Sequence, residues 1–233
     1  MAIDSLAPSA RWVVPGWITA IAVVAALALL GALDSELRWL HYLCKPLATL
    51  LIMAMVLTSG SGDVLYHRAL LAGLLLSTLG DVFLMLVPRP QGPDWFVLGL
   101  GSFLCAHVAY LLAFCGRVRL FAKWWPFAAY AVLSGAVLTV LWPNLPTPLR
   151  IPVVVYVVVL ATMAAQAAAM WSQLRDRASA LAALGGAFFV ASDATLAFDR
   201  FVAPFPVAIS VVLVTYWTAQ VLIGLSASRS RAS

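Results

Sequence analysis

Residues Ile151–Trp171 read IPVVVYVVVLATMAAQAAAMW, a run without one charged side chain. Roughly 20 apolar residues in a helix cross a hydrocarbon core about 30 Å thick. The run lacks the alternation of a lipid-facing barrel strand. Because the bilayer core offers no water to unpaired backbone groups, such a stretch reads as a spanning helix. Seven further stretches have the same character: Val13–Leu33, Leu43–Leu57, Ala69–Val87, Trp95–Cys115, Trp124–Trp142, Ala178–Asp199 and Phe205–Leu225. The connections between them are too short for an extramembrane domain.

Composition agrees with that reading. Of 233 residues, 64% are apolar and 10% charged, and the mean hydropathy of +1.01 lies far from a soluble domain. The expected fold is an all-α integral membrane bundle of about eight transmembrane helices. Residues 1–225 form a single transmembrane domain in this reading, and 226–233 (SASRSRAS) a short, polar, disordered cytoplasmic tail. The first apolar run is longer than the core of a signal peptide and is preceded only by Arg11, so it is expected to be a retained span.

Basic residues set the orientation. With the N-terminus cytoplasmic, the inner side holds Arg11, Arg68, Arg117, Arg119, Lys123, Arg175, Arg177, Arg229 and Arg231, and the outer side Arg38, Arg89, Arg150 and Arg200. The asymmetry places both termini inside, in a bacterial plasma membrane. The net charge of +5 therefore reflects topology, and no basic cluster suggests a nucleic-acid partner. Tryptophans at span ends, such as Trp39, Trp95, Trp124 and Trp142, read as an interfacial belt.

Cys44, Cys105 and Cys115 have neither the pairing nor the spacing of a disulfide framework or zinc site. His41 and His67 fall on opposite sides of the membrane, so with His107 they cannot share one metal ion. No metal or redox cofactor is expected.

Ionisable residues inside spans are costly and mark functional sites. Asp81 lies about 18 Å of helical rise past Ala69, and Asp193 about 22 Å past Ala178. Both spans run from inside to outside, so the two carboxylates share a depth in the outer half and are expected to converge on one cavity. Their surroundings are alike: Leu79-Gly80-Asp81-Val82-Phe83-Leu84 parallels Ala191-Ser192-Asp193-Ala194-Thr195-Leu196, with Gly73 and Gly185 each upstream. The offset is close to half the chain and suggests two four-helix repeats, related by an axis along the membrane normal.

Other polar groups gather at that depth. Phe103, His107 and Tyr110 share one helical face, as do Tyr216 and Gln220, while Gly73, Ser77 and Asp81 form a small polar stripe. A lone intramembrane His or Gln is as readily an interhelical hydrogen bond as a ligand-binding group. Lys45, at the opening of the second span, either snorkels, holds an anionic lipid head group, or lowers the cost of a carboxylate.

Five motifs occur in order: Lys45-Pro46-Leu47; Gly80-Asp81-Val82-Phe83-Leu84-Met85; Phe103-x3-His107-x2-Tyr110; the run Gly185–Ala197, GGAFFVASDATLA; and Tyr216-x3-Gln220-Val221-Leu222-Ile223. Together they resemble the YhhN family of lysoplasmalogenases, whose mammalian members are small eight-span proteins. The resemblance extends from about Lys45 to Gly224. It implies a membrane hydrolase that cleaves the vinyl ether of a lysoplasmalogen into a fatty aldehyde and a glycerophospho-ethanolamine or -choline. It implies Asp81 and Asp193 as the catalytic pair, with Lys45, His107, Tyr110, Ser192, Tyr216 and Gln220 around the substrate, in the lipid bilayer.

The chemistry suits two buried acids. Vinyl ether hydrolysis begins with protonation of an alkene carbon, and the resulting oxocarbenium ion captures water. One protonated carboxylic acid and one carboxylate are needed, as in glycosidases. A proton-coupled transporter and a non-catalytic lipid-binding bundle also accommodate paired intramembrane acids. The transporter reading is weakened because the spans lack Gly/Pro-broken segments in corresponding positions.

Overall fold

The computed structural model describes residues 8–59, 63–86 and 93–227. Among these are eight α-helices: α1 (Pro8–Leu33), α2 (Arg38–Thr58), α3 (Val64–Met85), α4 (Pro93–Arg117), α5 (Trp125–Leu141), α6 (Thr147–Leu174), α7 (Arg177–Phe201) and α8 (Ala208–Leu225). A short 3-10 turn, Trp142–Asn144, follows α5. All eight helices are long and apolar enough to cross a membrane, so the chain is an all-α, eight-helix integral membrane protein. Arg89, Arg229, Arg231 and most of the expected tail lie outside the described residues.

Helix ends differ from the apolar stretches for local reasons. α2 starts at Arg38 rather than Leu43, because Arg38, Trp39 and Tyr42 extend it by a turn of exposed, amphipathic side chains. Lys45 therefore lies two turns inside α2, not at its opening. α8 starts late, at Ala208: Pro204 and Pro206 break the helix, and the Phe205 amide donates instead to Asp199 Oδ1 at 3.1 Å. α3 and α7 begin alike. Asp63 accepts the Tyr66 amide at 3.0 Å and Asp176 the Ser179 amide at 2.7 Å, each satisfying an otherwise unpaired N–H of the first turn.

Six helices close into a ring, each packed on the next in the order α2, α3, α4, α6, α7, α8 and back to α2. α1 packs outside this ring on α2 and α8, and α5 outside it on α6 and lightly on α7. Lipid tails are as apolar as leucine, so association within a membrane depends on close packing and interhelical hydrogen bonds. Gly73 and Gly185 supply the first. A Cβ on Gly73 would run into the Tyr110 ring of α4, and one on Gly185 would lie 2.7 Å from the Ile223 side chain of α8. At one end of the ring the hydroxyls of Tyr66 and Ser226 meet at 2.7 Å, and Arg117 covers the Tyr66 ring. Large aliphatic side chains such as Leu65, Val132 and Ile151 point outward, as lipid-facing positions require.

Candidate active site

Asp81 lies four residues before the end of α3, about 25 Å of rise from Val64. Its side chain is buried, and every carboxylate oxygen has a partner. Lys45 Nζ of α2 lies 3.2 Å from Oδ1. Oδ2 accepts the Tyr216 hydroxyl of α8 at 2.7 Å and the Thr49 hydroxyl of α2 at 3.2 Å. A buried carboxylate needs a counter-charge and hydrogen bonds on its remaining lone pairs. Asp81 has both.

Asp193 stands about 24 Å along α7 from Arg177, at the same level as Asp81. Its environment is different. The Tyr156 hydroxyl of α6 donates to Oδ2, and His107 Nε2 of α4 lies 2.9 Å from the Tyr156 oxygen and 3.6 Å from the same Oδ2. Tyr156 has one proton and gives it to Asp193, so His107 Nε2 must carry the hydrogen that Tyr156 accepts. His107 Nδ1 is fully buried without a partner. His107, Tyr156 and Asp193 thus form one hydrogen-bonded chain of imidazole, phenol and carboxyl group.

Both acids line one cavity of about 1000 Å³, which also exposes Lys45, Tyr156, Ser192 and Tyr216. Its mouth, formed where α2 begins and α7 ends, carries Arg38, His41 and Arg200. Arg38 precedes Lys45 by seven residues and Arg200 follows Asp193 by seven, so each arginine stands two turns, about 10 Å, above its site residue. Arg200 also rests on the Phe96 ring at 4.0 Å. Below the carboxylates Phe103 closes the floor, packed edge-on against Phe189 and Tyr216. Phe189, one turn before Asp193, meets the His107 ring edge-on at 4.6 Å.

Not every residue singled out from the sequence reaches this cavity. His107, Tyr110 and Gln220 are fully buried behind its wall. Tyr110 donates to Gln220 Oε1 at 2.7 Å, a bond that ties α4 to α8 beneath the floor. Ser192 lines the cavity, yet its hydroxyl donates to the Val212 carbonyl of α8 at 3.1 Å. His41 and His67 sit in the first turns of α2 and α3, at opposite ends of the bundle.

The YhhN family profile matches residues 40–227, which covers nearly all of the ring and both acids of its cavity. The chain belongs to the YhhN family. A Homo sapiens relative named lysoplasmalogenase TMEM86A is 34% identical over 210 residues, 85% of this chain and 82% of that protein. The Bos taurus lysoplasmalogenase TMEM86A is 32% identical over the same length and shares. A Mycobacterium bovis lysoplasmalogenase is 32% identical over 206 residues, 82% of this chain and 73% of its own. No solved structure matches the chain.

Two residues of this YhhN site escaped the sequence reading. Thr49 is a small hydroxyl in an apolar run, one turn after Lys45, and that spacing was its only signal. Tyr156 sits in the middle of VVVYVVV, where hydropathy registers its ring and not its hydroxyl.

Proposed function

We propose that this chain is a lysoplasmalogenase whose active site is the cavity between Asp81 and Asp193. The observation that carries the reading is the difference between the two acids within one cavity. Asp81 has a lysine counter-charge at 3.2 Å, whereas Asp193 is bonded by a neutral phenol. Asp81 is therefore assigned the role of stabilising carboxylate, and Asp193 that of general acid.

The reaction follows. Asp193 gives its proton to the alkene carbon remote from the ether oxygen, producing an oxocarbenium ion that the Asp81 carboxylate steadies. Water adds to the cationic carbon and returns a proton to Asp193, leaving a hemiacetal. Asp193 then protonates the glycerol oxygen as the carbon–oxygen bond breaks, and takes up the hemiacetal hydroxyl proton. A fatty aldehyde and a glycerophospho-ethanolamine or -choline leave, and Asp193 is again protonated. Tyr156, held by His107, fixes the carboxyl so that Oδ1 faces the substrate. Lys45 serves Asp81 in this scheme rather than the phosphate, which falls to Arg38 and Arg200 at the mouth.

The same reading makes the chain one transmembrane domain with both termini cytoplasmic and the mouth at the outer face of a bacterial plasma membrane. Reporter fusions at Ser233 and between Pro143 and Arg150 should report opposite sides. Aldehyde release from lysoplasmenyl-ethanolamine by the purified, reconstituted protein tests the activity. An inactive wild type, shown folded, would sink it, and accumulation of an unmodified lysolipid across the membrane would favour transport instead.

A further inference from the structure

α1 and α5 hold corresponding places outside the ring but close it differently. Gly31 of α1 brings backbone against backbone: a Cβ there would lie 2.6 Å from the Leu37 carbonyl oxygen. α5 stands off. Of its residues only Pro126 and Leu141 are buried, and beside it runs a second hollow of about 360 Å³. That hollow is walled by Ala129, Tyr130, Leu133 and Val137 of α5 and by Ala187, Val190, Ala191 and Ala194 of α7. Leu133, Val137, Val190 and Ala194 belong to the wall of the main cavity as well. The two spaces therefore lie side by side across this shared wall, and Ala194 adjoins Asp193.

Small residues keep the hollow open on the α7 side, and Ala187 and Ala191 are exposed on the lateral surface of the bundle. Ala187 lies six residues before Asp193, so the slot descends about 9 Å from the carboxylates toward the middle of the bilayer. The arginine mouth rises about 10 Å the other way. A lipid resting in a leaflet has this layout: charged head at the interface, first chain carbons beneath it, chain directed to the midplane.

Resting on the reading of the cavity as a lysoplasmalogenase site, we infer that the α5–α7 slot receives the alkenyl chain of the substrate and is the side door by which lipid passes between bilayer and Asp193. The substrate keeps its membrane orientation and slides between two helices, with its vinyl ether arriving level with the acids. The slot offers aliphatic and methyl groups to a chain that would otherwise lose lipid contacts on leaving the leaflet.

Two measurements test this. Ala187→Phe and Ala191→Phe fill the slot at lipid-exposed positions and touch neither acid. Each should lower kcat/KM for a long-chain lysoplasmenyl-ethanolamine by about tenfold or more, since displacing even two buried methylenes has that effect. Hydrolysis of a short-chain, water-soluble analogue should stay close to the wild-type rate. Leu112→Phe, at an exposed position of α4, should alter neither. Equal losses on both substrates, or none, would overturn the inference. Separately, lysoplasmenyl-ethanolamine bearing a mid-chain diazirine should label α5 and α7 around Leu133 and Ala191 in Asp193→Asn protein. Labelling elsewhere sinks the slot even if hydrolysis is real. Labelling there without hydrolysis by the wild type sinks the enzymatic reading and keeps the slot.

Discussion

Asp81 and Asp193 occupy matching places in two halves of the ring. Each follows an aspartate-capped helix start, a glycine pressed on the next helix and a similar rise. Each takes partners from the preceding helix of its own half, α2 for Asp81 and α6 for Asp193, and from the last helix of the other half, α8 and α4. The partners themselves differ. Asp81 meets a lysine and two hydroxyls; Asp193 meets a phenol backed by an imidazole. One scaffold thus holds two carboxyl groups at one depth in different company, and in the proposed mechanism it gives them opposite tasks, one as a standing anion and one as a proton donor. Hydrolysis of a vinyl ether requires that division of labour.

The largest effect should come from the acids. Asp193→Asn removes proton transfer while keeping shape and should lower aldehyde release by ~10²-fold or more. Asp81→Asn should be as inactive but less stable, because it leaves the partly buried Lys45 without its counter-charge. If Asp193→Asn proves the less stable of the two in a detergent melt, the assignment of the standing anion is reversed.

Lys45→Met breaks the comparison from the other side. Removing one member of a buried ion pair costs about 3–5 kcal/mol, since the remaining charge is uncompensated. The Lys45→Met/Asp81→Asn double variant should regain much of that stability and remain inactive. A double-mutant cycle with strictly additive costs would show that the pair, 3.2 Å apart, is not coupled.

Tyr156→Phe tests the donor chain. As Asp193 gives up its proton this bond becomes one to a charged group, worth roughly 1.5–3 kcal/mol, so kcat should fall by about tenfold or more with little change in KM. Tyr216→Phe leaves Asp81 its lysine and Thr49 and should do less. Equal effects would mean that the two sites are supported alike.

Much of this was legible because charge in an apolar run is conspicuous. Asp81, Asp193 and Lys45 stand out, and so do the spans around them. What stayed hidden depends on tertiary approach. Tyr110 and Gln220 look like site residues until their hydroxyl and amide are seen bonded to each other. Tyr156 looks like one more apolar ring until α4 and α7 bring His107 and Asp193 to its hydroxyl. Hydropathy locates a buried charge, but a tyrosine's direction is decided by its neighbours.

The smallest effect concerns the caps on which both halves start. Asp63→Ala and Asp176→Ala should each cost about 0.5–2 kcal/mol at neutral pH, the usual value of an N-cap. Asp176 adds a pH signature. Partial burial pushes its carboxyl up, but hydrogen bonds from Ser179 and the Arg117 guanidinium outweigh that and hold it below the ordinary range. A group whose folded pKa is depressed stabilises the fold above its unfolded pKa, about 3.9 for aspartate, and loses that contribution as pH falls through the lower folded value. The stability gap between wild type and Asp176→Ala should therefore be constant from neutral to mildly alkaline pH and shrink in acid. Asp176→Asn caps without titrating, so its gap to Asp176→Ala should stay level over the same range. Thermal melts in detergent from pH 3 to pH 8 would read this, and a wild-type gap that widens in acid would show that charge on Asp176 opposes the cap.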